Sequence, residues 1–114
     1  MPLPESEKEW VTAVLDRYCD EKTPPHIRRQ VCLKYRFDGN AVVLYEERPQ
    51  FDRPSQRIEL KVARFRYFVG RRDWVLYWRD RNSRWHRYEL VPPSKHFQDL
   101  LREVDDDPTC IFWG

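Results

Sequence analysis

Residues 64–90 run RFRYFVGRRDWVLYWRDRNSRWHRYEL, the most basic and aromatic part of the chain. Eight arginines fall between Arg64 and Arg87, opposed there only by Asp73 and Asp80. Interleaved with them are Phe65, Tyr67, Phe68, Trp74, Tyr77, Trp78, Trp85 and Tyr88. Aromatic residues bounded by turn signals read as strands, and the turns fall at Gly70-Arg71-Arg72-Asp73 and Asp80-Arg81-Asn82-Ser83. Three antiparallel strands result, which supply both the aromatic core and the most basic surface. The second turn is expected to set Trp78 opposite Trp85 and Tyr77 opposite His86, with the last strand running from Trp85 to Leu90.

Upstream, a strand is predicted from Arg57 to about Val69. Ile58, Leu60 and Val62 hold one parity, whereas Phe65, Tyr67 and Val69 hold the other. A change of phase inside one strand calls for a β-bulge, here near Ala63-Arg64. With that bulge Glu59, Lys61, Arg64 and Arg66 share the polar face. Residues 27–37 also alternate, with Val31, Leu33, Tyr35 and Phe37 on one side and Gln30, Cys32, Lys34 and Arg36 on the other. Asp38-Gly39-Asn40 is a hairpin turn, and Ala41 to Tyr45 return as a strand, with Glu46, Glu47 and Arg48 at its end. The proline-bracketed segment 49–54 is a loop.

Helices flank this sheet. Ser6 and Glu9 have the spacing of a capping box, and Trp10, Val11, Val14, Leu15 and Tyr18 recur on one helical face. Pro24 and Pro25 end that helix near Glu21. Ser94 is the expected N-cap of a second helix, whose stripe is Phe97, Leu100, Leu101 and Val104. Three carboxylates, Asp105 to Asp107, sit at its unfavourable C-terminal end, where sheet arginines are expected to compensate them. Ile111, Phe112 and Trp113 follow and are expected to pack back on the domain. The fold class is therefore α+β: one domain over residues 1–114, with an N-terminal helix, an antiparallel meander of about five strands, a C-terminal helix and a packed apolar tail.

Charge is distributed unevenly in a chain of net charge +2. Residues 1–25 and 94–114 each carry net −3, while residues 26–93 carry net +8. Sixteen of the 21 basic residues are arginine, the side chain suited to bidentate phosphate or carboxylate contacts. The plainer reading is that the acidic helices partly neutralise the basic sheet. Three widely spaced cysteines without a Cys-x-x-Cys favour a reducing compartment over a disulfide framework. No apolar run approaches the roughly 20 residues that span a bilayer, and the opening MPLPESEKEW lacks a signal-peptide pattern. A cytoplasmic protein with no membrane partner is expected.

The segments EERP (46–49), VARFRY (62–67), WVLYWRDRNSRWHRY (74–88) and DDDPTCIFWG (105–114) resemble the signature of the bacterial domain of unknown function 3024 family. The resemblance covers most of the chain, and DPTCIFWG is its most specific part. It implies a small stand-alone bacterial protein and carries over no activity, ligand or catalytic residue.

Three constellations are candidates for chemistry. The first is a basic surface of Lys34, Arg36, Lys61, Arg64, Arg66, Arg71, Arg72, Arg79, Arg81, Arg84 and Arg87, which with accessible aromatics suits phosphates and stacked bases. Its plain alternative is a solvated face with cross-strand pairs to Glu46, Glu47 and Glu59. The second is Asp52 with Glu59-Leu60-Lys61, an arrangement that metal-dependent nucleases use, with Glu46 and Glu47 nearby. Glu-x-Lys on an exposed strand also arises by chance. The third is Asp80, Arg81, Asn82 and His86, where His86 is a candidate general acid or base. There Asp80 and Asn82 are expected to shape the turn, and His86 to pack beside Tyr77 and Tyr88. There is no phosphate loop, nucleophile elbow or paired-His motif, and no cofactor or metal is expected. The leading expectation is a non-enzymatic binding module for an anionic partner, nucleic acid before other polyanions. A protein-interaction module using the Trp-rich sheet or the Ile-Phe-Trp-Gly end is the alternative, with a phosphodiesterase third.

Overall fold

The chain runs α1 (Glu5–Lys22), β1 (Cys32–Asp38), β2 (Ala41–Pro49), β3 (Arg57–Phe68), β4 (Asp73–Arg79), β5 (Trp85–Arg87) and α2 (Phe97–Asp106). The computed structural model describes residues 3–23, 31–50, 52–53 and 55–113. The five strands pair antiparallel in the order β1-β2-β3-β4-β5, an uninterrupted meander, so the expected α+β architecture is the one adopted. Residues 27–30, placed in the first strand by their alternation, lie outside the described residues.

Register settles which side chains share a face. Leu44 pairs with Ala63 but Tyr45 with Lys61, so Val62 is the extra residue of a bulge one position before the expected site. Beyond it Ala63, Phe65 and Tyr67 are buried, and they join Leu33, Val42, Leu44, Trp74 and Leu76 in one core. The helices cover this face with Val11, Leu15, Phe97, Leu100, Leu101 and Val104. Phe97 is the central contact: its ring lies 4.7 Å from that of Phe65 and 5.2 Å from that of Trp74. Aromatic pairs at such distances contribute roughly 0.5–1.5 kcal/mol beyond area burial.

Several local details depart from expectation. The capping box does not form: Pro4 is the N-cap of α1, without a side-chain cap, and the helix begins at Glu5. Trp10 is 51% exposed, so the buried stripe of α1 is Val11 and Leu15, flanked by Val14 and Tyr18. His96, not Ser94, is the N-cap of α2; the Ser94 hydroxyl accepts from the His96 amide and donates to Asp99. Ser94 instead exchanges both backbone hydrogen bonds with Trp74 and extends the pairing of β4 past the three-residue β5. The hairpin register is shifted by one residue, with Tyr77 opposite Arg87, Trp78 opposite His86 and Arg79 opposite Trp85. The cause is Asp80: its Oδ1 accepts from the amides of Asn82 and Arg84, which takes Arg84 into the loop.

The tail packs as expected, though unevenly. Phe112 is buried with its ring 5.1 Å from Tyr88, Ile111 is half-buried, and Trp113 remains 38% exposed. Asp107 at the end of α2 accepts from the amides of both Phe112 and Trp113, and the Trp113 indole donates to the Val104 carbonyl at 2.8 Å. The C-terminal carboxylates are thus compensated by the tail and by Lys22 of α1, 2.7 Å from Asp105, rather than by sheet arginines. The Lys22 ammonium draws the Asp105 carboxyl below its usual range.

Candidate functional site

A helix on one side of a sheet leaves the other side to be finished by side chains alone. Here the uncovered face carries the odd-numbered residues of β2 and β4 and their cross-strand partners. Arg36, Val43, Arg64, Tyr77 and Arg87 form one row across all five strands. Lys34, Tyr45 and Lys61 form the next row, and Ala41, Arg66 and Val75 flank the first row on its other side. Val43, Tyr45 and Val75 are buried without helix cover. The aliphatic stems of Arg and Lys shield them while the charged ends stay in water; the Arg36 guanidinium lies 5.3 Å from the Tyr45 ring.

Of the eleven basic residues expected to bind, Lys34, Arg36, Lys61, Arg64, Arg66, Arg79 and Arg87 come together on this face. The other four sit at its ends. Arg71 and Arg72 lie on the β3–β4 turn, where Arg72 adopts a left-handed φ of 56°. Arg81 and Arg84 lie on the β4–β5 turn at the opposite end. Arg57, which strand parity alone would have added, also belongs to the face.

The carboxylates that meet these cations come from the sheet itself, whereas the acidic helices lie behind it. Glu47 pairs with Lys34 at 3.2 Å and Arg57 at 2.7 Å, and Glu59 with Arg36 and Lys61 at 3.0 Å each. These contacts, led by Lys34 for Glu47 and Lys61 for Glu59, hold both carboxyls below the usual range. Arg71 pairs with Asp73. Glu46 faces the helix side and pairs with Arg48, so it does not join Glu47 and Glu59. The Glu59-Leu60-Lys61 motif is therefore engaged in ion pairs, and no three His, Cys, Asp or Glu side chains converge among the described residues. Asp52 is exposed in the β2–β3 loop.

Arg64, Arg66, Arg79 and Arg87 differ from their neighbours. Among the described residues none of the four has a carboxylate partner. Arg66 lies over the Phe68 ring at 4.8 Å and Arg79 over Trp85 at 5.7 Å. The Nε of Arg64 is buried without a hydrogen-bond acceptor. Arg79 and Lys61 also line a shallow depression of about 250 Å³ beside Asp80 and Ser83.

His86 belongs to the other face. Its ring stacks on Trp78 at 4.7 Å rather than beside Tyr77, and its Nε2 lies 2.6 Å from Asp80 Oδ2. The Arg84 amide first, then His86, keep the Asp80 carboxyl below its usual range. This group organises a turn. On the helix side a groove of about 320 Å³ is lined by Tyr18, Lys22, Leu33, Glu46, Asp105 and Trp113. Its polar groups already satisfy one another: Asp105 accepts from the Tyr18 hydroxyl at 3.0 Å as well as from Lys22.

Among the described residues no helix is long and apolar enough to cross a membrane. Residues 3–114 match the model of the domain of unknown function family DUF3024, and the chain belongs to that family. No curated protein and no solved structure matches it.

Proposed function

We propose that this member of the DUF3024 family is a non-enzymatic binding module for an anionic partner, nucleic acid before other polyanions. The observation that carries the reading is the gathering of seven predicted cations on the one sheet face without helix cover. An array of guanidinium groups neutralises phosphates, and binding then releases counterions from the nucleic acid. Four of these arginines have no competing carboxylate among the described residues. The expected plot of log affinity against log salt for a single-stranded oligonucleotide therefore has a slope of about −3, from roughly 0.7 per neutralised phosphate. The double variant R64E/R66E flattens that slope by about half. Absence of binding at low salt removes this reading and promotes the protein-interaction module on the Trp-rich sheet or the Ile-Phe-Trp-Gly end, where Trp113 is 38% exposed.

A further inference from the structure

The open face carries four aromatic side chains, and they are not equivalent. Tyr45 is buried beneath Arg36. Phe68 is held between Arg66 at 4.8 Å and Arg71 at 4.4 Å, and Trp85 is faced by Arg79 at 5.7 Å. Tyr77 alone has no cation, ring or hydrogen-bond partner among the described residues. Its position is specific: β4 places it directly between Arg64 of β3 and Arg87 of β5. Neighbouring strands lie about 4.8 Å apart, so the backbones of the two arginines flank the tyrosine at about 10 Å from each other. Both arginines lack carboxylate partners among the described residues, and the buried Nε of Arg64 leaves that charge incompletely solvated.

A half-buried ring without a partner of its own, flanked in register by two arginines without carboxylates among the described residues, is a stacking platform with a phosphate contact on either side. Resting on the proposed anion-binding face, we infer that Tyr77 stacks one base of a single-stranded nucleic acid whose adjoining phosphates are held by Arg64 and Arg87. Stacking on Tyr77 calls for a single strand rather than a duplex, because a duplex hides its base faces and offers only phosphates and groove edges. An acidic protein segment would satisfy the arginines but would leave the tyrosine face without a planar partner. The preference among bases is modest, since every base presents a π face.

The test measures binding of a fluorescently labelled hexathymidylate and of an abasic backbone of the same length, at low salt. Tyr77→Ala is expected to weaken hexathymidylate binding by about 5- to 150-fold, the range of base–aromatic stacking. Its affinity for the abasic strand stays within about two-fold of the wild type, and Tyr77→Phe keeps most of the hexathymidylate affinity. Tyr77→Leu, which retains apolar cover without a π face, is to behave like alanine and guards against an alanine variant that does not fold. Equal hexathymidylate binding by wild type and Tyr77→Leu overturns the stacking role while leaving the basic face in place, provided R64E/R66E still weakens binding. Equal losses on both probes overturn it too, because the ring then acts only by shaping its neighbours. A wild type that ignores both probes but binds an oligoglutamate peptide brings down the stacking inference and the nucleic-acid reading together.

Discussion

The two faces of this sheet are built from the same strands, residue by residue in alternation, and end in opposite states. On the helix side Phe65, Trp74, Phe97 and Leu100 are fully enclosed, and free energy comes from apolar area removed from water. On the open side Val43 and Val75 are also buried, but beneath the stems of arginines and lysines. The enclosed aromatic core is thus concentrated on one face and the cationic side chains on the other. Within the open face a second contrast appears. Glu47 and Glu59 partly neutralise the cluster of Lys34, Arg36, Arg57 and Lys61, while Arg64, Arg66, Arg79 and Arg87 have no carboxylate partners among the described residues.

Substitution on the helix side is expected to have the largest effect. Phe97→Ala removes a ring packed against both Phe65 and Trp74 and should cost about 3–5 kcal/mol, read by chemical denaturation. An exposed-face change such as Arg66→Glu should alter stability by much less, so a comparable loss there would erase the contrast between the faces. Deleting residues 110–114 comes next. It removes the buried Phe112 and the Trp113 hydrogen bond to Val104, and returns Asp107 to an unsatisfied helix end. A melting temperature lower by on the order of 10 °C is expected, from a loss of about 3 kcal/mol. If the truncated chain melts like the full one, the tail is a docking peptide and the protein-interaction reading gains.

The smallest effect sharpens the division of the open face. Glu47→Gln with Glu59→Gln releases Lys34, Arg36 and Lys61 from their sheet carboxylates and should raise oligonucleotide affinity by about three- to ten-fold at low salt. Acid should act in the same direction. Both carboxyls titrate below their unfolded values, so their stabilising contribution is present above the usual carboxylate range and is lost as pH falls through the lowered values. Affinity then rises over that same fall in pH, whereas the double variant shows no such rise; an identical pH profile in both proteins would place the neutralisation elsewhere.

Much of this was legible in sequence because its physics is local. Period-two alternation set the side of each strand residue, and the phase change between Val62 and Phe65 located the bulge to within one residue. Apolar spacing marks Phe97, Leu100, Leu101 and Val104 as buried, and the apolar residues Ile111, Phe112 and Trp113 mark a tail that packs on the domain. Other features depend on competition between distant groups. Whether a cation is paired turns on which carboxylate the register brings beside it: Glu47 and Glu59 lie opposite each other across β2 and β3, whereas Glu46, one residue away, faces the helices. The turn at Asp80 depends on a side chain outcompeting a backbone loop geometry, and that shifted Tyr77 from His86 to Arg87. A five-stranded meander with two helices and a basic, aromatic surface follows from residue order alone, because hydrophobic periodicity acts over neighbouring residues. That Tyr77 lies between two arginines without carboxylate partners among the described residues follows from the folded register, because pairing is a choice made across strands by side chains far apart in the chain.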